Sequence, residues 1–185
     1  MDSKNELQLL IEFYENNIKP YKFMYKLEHG IELSLEIKEE EVCHLIFGSL
    51  TKKNIPNSAF YKGKKGFEKI KNGEVTTVPF SLQDAYKSKS KAFLILDKVL
   101  IKPNAIMFNQ KIVKKRNGNS TDIAANFLFY KEKNNIVAHL FIEKIKNSRE
   151  ERFIAKSCFH NNDENYIKDQ IVLKVNESWQ DKIGE

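Results

Sequence analysis

From Pro103 onward the chain breaks into β-rich runs joined by connectors short enough to be turns. The runs are 105–114, 123–131, 136–146, 152–160 and 170–176. Between them lie Arg116-Asn117-Gly118-Asn119, Lys133-Asn134-Asn135, Asn147-Ser148 and Asn161-Asn162-Asp163. A parallel crossover needs about a dozen residues or more. The spacing therefore predicts an antiparallel meander of four to five strands in the second half of the chain.

The first half reads differently. Leu7, Leu10, Ile11 and Tyr14 recur at helical steps, which predicts a helix over 3–17 with Ser3 as N-cap and Glu6 closing a capping box. Tyr21, Phe23, Tyr25 and Leu27 alternate, as do Ile31, Leu33, Leu35 and Ile37, with His29-Gly30 between them. That pattern is a β-hairpin. Glu39-Glu40-Glu41 opens a short helix through Phe47, and Gly48 ends it. The stretch 49–80 reads as a loop running into a short helix from Phe67 to Lys71; Ser81 then caps a longer helix that Lys102-Pro103 stops. The expected fold class is α+β: N-terminal helices and a hairpin, then the meander. No linker or repeat divides the chain, so residues 1–185 are expected to form one domain.

At 185 residues and 41% hydrophobic content, one core can hold such a chain without metals or disulfides. No window approaches the ~20 apolar residues of a membrane span, and Met1–Glu6 lacks the layout of a secretory signal. Cys43 and Cys158 stand far apart and outside any metal-ligand spacing, so two free thiols and a cytoplasmic location are expected. Net charge is +6, and only Arg116, Arg149 and Arg152 among the cations are arginine. Such an excess favours polyanions. It also suits plain solubility, so the charge serves either reading.

The four histidines, His29, His44, His139 and His160, form no HxxxH or HxH pair, and the glycines match neither a Walker loop nor a dinucleotide fingerprint. No metal or cofactor is expected. What remains suits work on a phosphodiester: a base for the 2′-hydroxyl, an acid for the leaving oxygen, and cations for the phosphate. His44, Lys62, Lys64, Lys65, His139, Lys156, Ser157, His160 and Tyr166 are the available parts. Each has a plain structural role open to it. His44 lies among apolar neighbours on a helix, His139 shares a strand face with Val137 and Phe141, and lysines 62–65 suit a solvated loop. Strict alternation puts Ser157 on the face of Ala155 and Phe159, with Lys156 opposite unless a bulge intervenes.

Several strings resemble one of the phage-associated nuclease-like families grouped with barnase, EndoU, the tRNA-cleaving colicins and RelE, and are most similar to the fourth family of that set. They are Phe23–Lys38, Cys43-His44-Leu45-Ile46-Phe47-Gly48, and Tyr61-Lys62-Gly63-Lys64-Lys65-Gly66-Phe67 with Ile70-Lys71-Asn72-Gly73. The last is Phe153-Ile154-Ala155-Lys156-Ser157-Cys158-Phe159, followed by Tyr166-Ile167-Lys168-Asp169-Gln170. The resemblance implies helices followed by a four-stranded antiparallel sheet. It also implies a metal-independent endoribonuclease serving as a toxin or mobile-element protein. His44 would then be base or acid, Lys62 and Lys65 would hold phosphate, and Ser157 would orient a phosphate oxygen. Tyr166 and Gln170 follow at the family's spacing. One departure is Lys156, where the family's string carries proline.

The expected partner is RNA or another nucleic acid, held by Lys62, Lys64, Lys65, Lys156 and Gln170, with His44, Ser157 and Tyr166 as catalytic candidates. A protein inhibitor or a host defence complex is the other partner class. The competing reading keeps the fold and drops the reaction: an inactive nuclease-fold binder that blocks a nucleic acid or a defence nucleoprotein.

Overall fold

The computed structural model describes residues 4–49, 57–117, 121–145, 152–162 and 164–184. The first helix, α1 (Glu6–Asn17), is capped by Asn5, whose side chain accepts from the Gln8 N–H at 3.1 Å while Gln8 Oε1 accepts from the Asn5 N–H at 3.2 Å. The capping box thus forms at Asn5 and Gln8 in place of the one expected at Ser3 and Glu6; Ser3 lies outside the described residues. Strands β1 (Tyr21–Leu27) and β2 (Glu32–Leu35) form the hairpin, turning through His29 at φ 62° and Gly30 at φ 72°. Helix α2 (Glu39–Phe47) follows, and Gly48 at φ 78° ends it. The helix expected from Phe67 begins earlier: α3 spans Gly63–Lys71, so Lys64 and Lys65 belong to its first turn and not to a loop. The long helix expected after Ser81 is two, α4 (Gln83–Phe93) and α5 (Leu96–Ile101), broken at Leu94-Ile95, and Ser81 sits within a preceding 3₁₀ turn rather than at a cap.

The β-rich half is also recast. The run 105–114 holds only a short strand, β3 (Asn104–Met107), then helix α6 (Gln110–Asn117). Strands β4 (Phe127–Lys133) and β5 (Ile136–Lys144) form a two-residue hairpin through Asn134 and Asn135, both at positive φ as such turns demand. Then come β6 (Arg152–His160), β7 (Ile171–Leu173) and β8 (Val175–Lys182). The turns expected at Gly118-Asn119, Asn147-Ser148 and Asp163 lie outside the described residues.

These strands make one eight-stranded sheet in the order β7-β3-β4-β5-β6-β2-β1-β8. It is mixed, not an antiparallel meander of four or five strands. The hairpin joins the later strands through a parallel pair, β2 with β6, and long-range pairings of that kind leave no trace in local connector lengths. The two outermost strands, β7 and β8, are joined by Lys174 alone, so the ends they share lie within about 7 Å. The sheet therefore curls nearly into a barrel. Glu28 pins this link to the β1–β2 turn, its N–H donating to the Lys174 carbonyl at 2.9 Å and its carboxylate accepting from the Lys174 N–H at 3.0 Å.

Helices α1–α5 pack on one face of the sheet over Phe23, Tyr25, Leu35, Leu140, Ile142 and Cys158. A smaller cluster on the opposite face joins Ile106, Phe108, Val113, Leu128 and Phe141. Among the described residues no helix is long and apolar enough to cross a membrane.

Candidate active site at the open edge of β6

The parallel pairing of β2 with β6 covers only Ser34–Arg152 and Leu35–Phe153. Among the described residues, β6 then runs on to His160 with a strand on its β5 side alone. Main-chain groups on the other side need partners, and α4 supplies two. Ser88 Oγ donates to the His160 carbonyl at 2.7 Å, and Lys89 Nζ donates to the Cys158 carbonyl at 3.0 Å. The half-buried His44 ring of α2 lies beside the Lys156 main chain. Three side chains thus take alternate positions along the strand edge.

The register of β6 on β5 slips here. Phe141 stands opposite Ser157 and Ile142 opposite Ala155, so Lys156 is an extra residue in a β-bulge. Cross-strand partners share a face. Ala155 and Cys158 therefore face the main core with Ile142 and Leu140, while Ser157 and Phe159 face the smaller cluster with Phe141 and His139. Strict alternation had placed Ser157 with Ala155; the bulge breaks that phase. The Lys156 ammonium reaches Glu143 Oε2 at 2.8 Å, on the same face as Ser157. Bulges are among the few places within a sheet that accept proline, so the Lys156 position fits the proline of the resembling string.

Lys89 is the residue that sequence reasoning missed. It is only 8% exposed, and its ammonium donates to Ser157 Oγ at 3.0 Å as well as to the Cys158 carbonyl. Its stem crosses the end of α2 at Gly48, where a Cβ would lie 2.9 Å from Lys89 Cε. Gly48 thus both ends the helix and clears the path for this lysine. Burial pulls the Lys89 ammonium down to about 8. Burial also lowers His44, assisted by the Lys89 and Lys156 cations and opposed by the nearby Lys156 main chain. A half-buried, neutral imidazole and a buried ammonium bonded to a serine hydroxyl is a base–cation–hydroxyl set of the kind phosphoryl chemistry uses. The two thiols take no part: burial pushes Cys43 and Cys158 up to about 12.

One turn of α2 before His44, Glu41 accepts from the Lys38 N–H at 2.7 Å, and burial pushes its carboxyl up to about 7. It borders a cavity of about 450 Å³ at the β2–β6 junction, lined also by Lys22, Ser34, Lys38, Arg152 and Ile154.

The remaining sequence candidates lie at varied distances from this set. Tyr166 packs on Phe159 and Phe141, with ring centroids at 5.3 and 5.5 Å, and so stands on the same sheet face as Ser157. Gln170 makes a paired bond with the Asn109 main chain, accepting at 2.8 Å and donating at 3.2 Å, next to the start of α6. Lys62, Lys64 and Lys65 are exposed at the start of α3, and Lys64 lies 3.5 Å from Glu39. Gly66 of that segment packs on α2. His139 is fully buried between the rings of Tyr130 and Phe159. Among the described residues no three His, Cys, Asp or Glu side chains are grouped as metal ligands.

The profile of one protein family, described as phage-Barnase-EndoU-ColicinE5/D-RelE like nuclease4, matches residues 6–185. The chain belongs to that family. The match spans nearly the whole sequence, so the bulged strand, α2 and α4 all fall within this nuclease-like family's own domain. No curated protein and no solved structure matches the chain.

Proposed function

We propose that this member of the nuclease-like family is a metal-independent endoribonuclease of a mobile element or toxin system. The observation that carries the reading is the meeting of His44, Lys89 and Ser157 at the bulge of β6. In the proposed reaction His44 takes the proton of a 2′-hydroxyl, and the freed oxygen attacks the adjacent phosphorus. The bond from phosphorus to the 5′-oxygen breaks, leaving a 2′,3′-cyclic phosphate. The net proton moves from the 2′-oxygen to the departing 5′-oxygen. Ser157 and Lys156 hold the non-bridging phosphate oxygens. Tyr166 offers a ring on which a base stacks, Gln170 positions the segment that carries it, and Lys62, Lys64 and Lys65 meet phosphates further along the strand. The test is incubation of RNA with EDTA present, comparing wild type with His44→Ala and Ser157→Ala, each shown to be folded by circular dichroism. Cleavage by wild type alone with 2′,3′-cyclic ends is the expected result. Equal cleavage by His44→Ala would overturn the assignment.

A second reading is favoured by one specific observation: Ser88 and Lys89 both satisfy main-chain carbonyls of β6, which is a structural task. On that reading the fold is kept for gripping nucleic acid or blocking a host defence complex. RNA that stays intact but shifts on a gel at low salt, and not at high salt, would favour it.

A further inference from the structure

We infer that Lys89 is the positioning residue of this site: it fixes the Ser157 hydroxyl as a donor toward the ligand face and sets a buried cation beside the end of the helix that carries His44. This rests on the nuclease reading for its purpose, though not for its test. An ammonium has three donors and no acceptor. The 3.0 Å contact from Lys89 Nζ to Ser157 Oγ therefore fixes Ser157 as the acceptor in that bond, leaving its own O–H to point elsewhere. On a face that also carries the Lys156 ammonium, the group that would receive that hydrogen is an anionic oxygen such as a non-bridging phosphate oxygen.

The geometry shows how the cation is held in place. The Cys158 carbonyl takes a second ammonium hydrogen, and the Phe159 ring lies 5.8 Å from Nζ. Gly48 gives the stem its passage. The lysines on either side in the same helix, Lys87 and Lys91, are exposed and have no such path. The groups facing His44 are Lys89 from α4, Lys156 from β6 with its partner Glu143 from β5, and Glu41 from its own helix. Lys156 is already paired with Glu143, so Lys89 is the cation whose field on the ring is least offset.

The test uses the full chain and has a readout independent of cleavage. The ring protons of His44 are followed by NMR through a pH titration, assigned with His44→Ala, in wild type, Lys89→Met and Gly48→Ala. Removing the charge is expected to move the His44 midpoint upward in Lys89→Met. The Gly48→Ala methyl, which displaces the stem, is expected to move it in the same direction. An unmoved midpoint in both variants would overturn the proposal and leave Lys89 a structural cap of the strand edge. Gly48→Ala keeps the test open should Lys89→Met fail to fold. Where wild type cleaves RNA, then at a pH above the His44 midpoint of every variant the double variant Lys89→Met/Ser157→Ala is expected to lose no more activity than Ser157→Ala alone, and additive losses there would count against the link between the two. Absence of cleavage by wild type would sink the nuclease reading while the titration still decides the place of Lys89.

Discussion

Gly66 of α3 lies against Cys43 of α2, so close that a Cβ at Gly66 would stand 3.0 Å from the Cys43 sulfur and from the Phe60 carbonyl oxygen. Cys43 points to α3, while its neighbour His44 points to β6. The two adjacent residues of one helix therefore serve different contacts, one purely of packing.

Gly66→Ala is expected to destabilise the protein by about 1–3 kcal/mol, because the atoms it meets are a buried sulfur and main chain that cannot step aside cheaply. Urea denaturation measures this. RNA binding by the folded fraction is expected to be unchanged. Lost binding at full stability would instead mean that Gly66 serves the ligand.

His139 gives the fold an acid-sensitive core. No ring nitrogen has hydrogen-bond geometry to a partner, and burial pulls the ring down to about 4. The unfolded chain takes up the proton first, near the ordinary histidine value, so the folded state loses ground as pH falls from 6.5 toward 4. The loss is about 3 kcal/mol. In His139→Phe this contribution is expected to be lost, so that stability rises as pH drops from 6.5 to 4.5. Chemical denaturation at pH 6.5 and pH 4.5 would show an unchanged slope if the residue were not responsible.

Glu41 works in the opposite direction over much of the same range. Its folded carboxyl sits at about 7 against 4.5 unfolded, so the folded state holds the extra proton and stability falls as pH rises between them. Glu41→Gln keeps an acceptor for the Lys38 N–H and is expected to gain about 1–2 kcal/mol at pH 7.5, after allowing for partial exposure. No gain in the thermal midpoint there would refute the assignment. Because the two slopes oppose each other, wild type is expected to be nearly flat, and each single variant to uncover the other residue's slope.

Lys89 predicts an alkaline effect. Its ammonium sits at about 8 folded against 10.5 unfolded, so from pH 8 to 10.5 the unfolded chain holds more protons and folding becomes more favourable as pH rises. The gain is about 3 kcal/mol over that interval. Wild type is expected to gain on Lys89→Met between pH 7.5 and 10 in paired urea titrations. A constant gap between them would place the ammonium in a more solvated setting than the fold shows.

Much of this arrangement is legible in the residues, and the illegible part has physical causes. The alternation from Tyr21 to Ile37, the acidic opening of α2 and the glycine after Phe47 each carry a local signal, and each forms as read. Ile112 and Val113 sit in a run that reads as strand, yet α6 forms there because Val113 completes the smaller cluster from a helix. Lys89 lies in the string Lys87-Ser88-Lys89-Ser90-Lys91, where nothing local marks the buried lysine. Its burial depends on a gap between two strands and on a glycine 41 positions earlier in the chain. The bulge at Lys156 was left open by the alternation and is set only by the pairing with β5. His44 and Ser157 could be named from their strings; the lysine between them could not.

The one-residue link at Lys174 has a consequence for how the protein comes into being. Both margins of the sheet, beside β1 and beside β3, are covered by strands made after residue 170. A chain in which residues 171–182 have not yet docked has a sheet with two bare flanks, each able to pair with a neighbouring chain. Docking of that dozen residues closes both at once. Slow docking of the segment would therefore hold the protein in its most association-prone form.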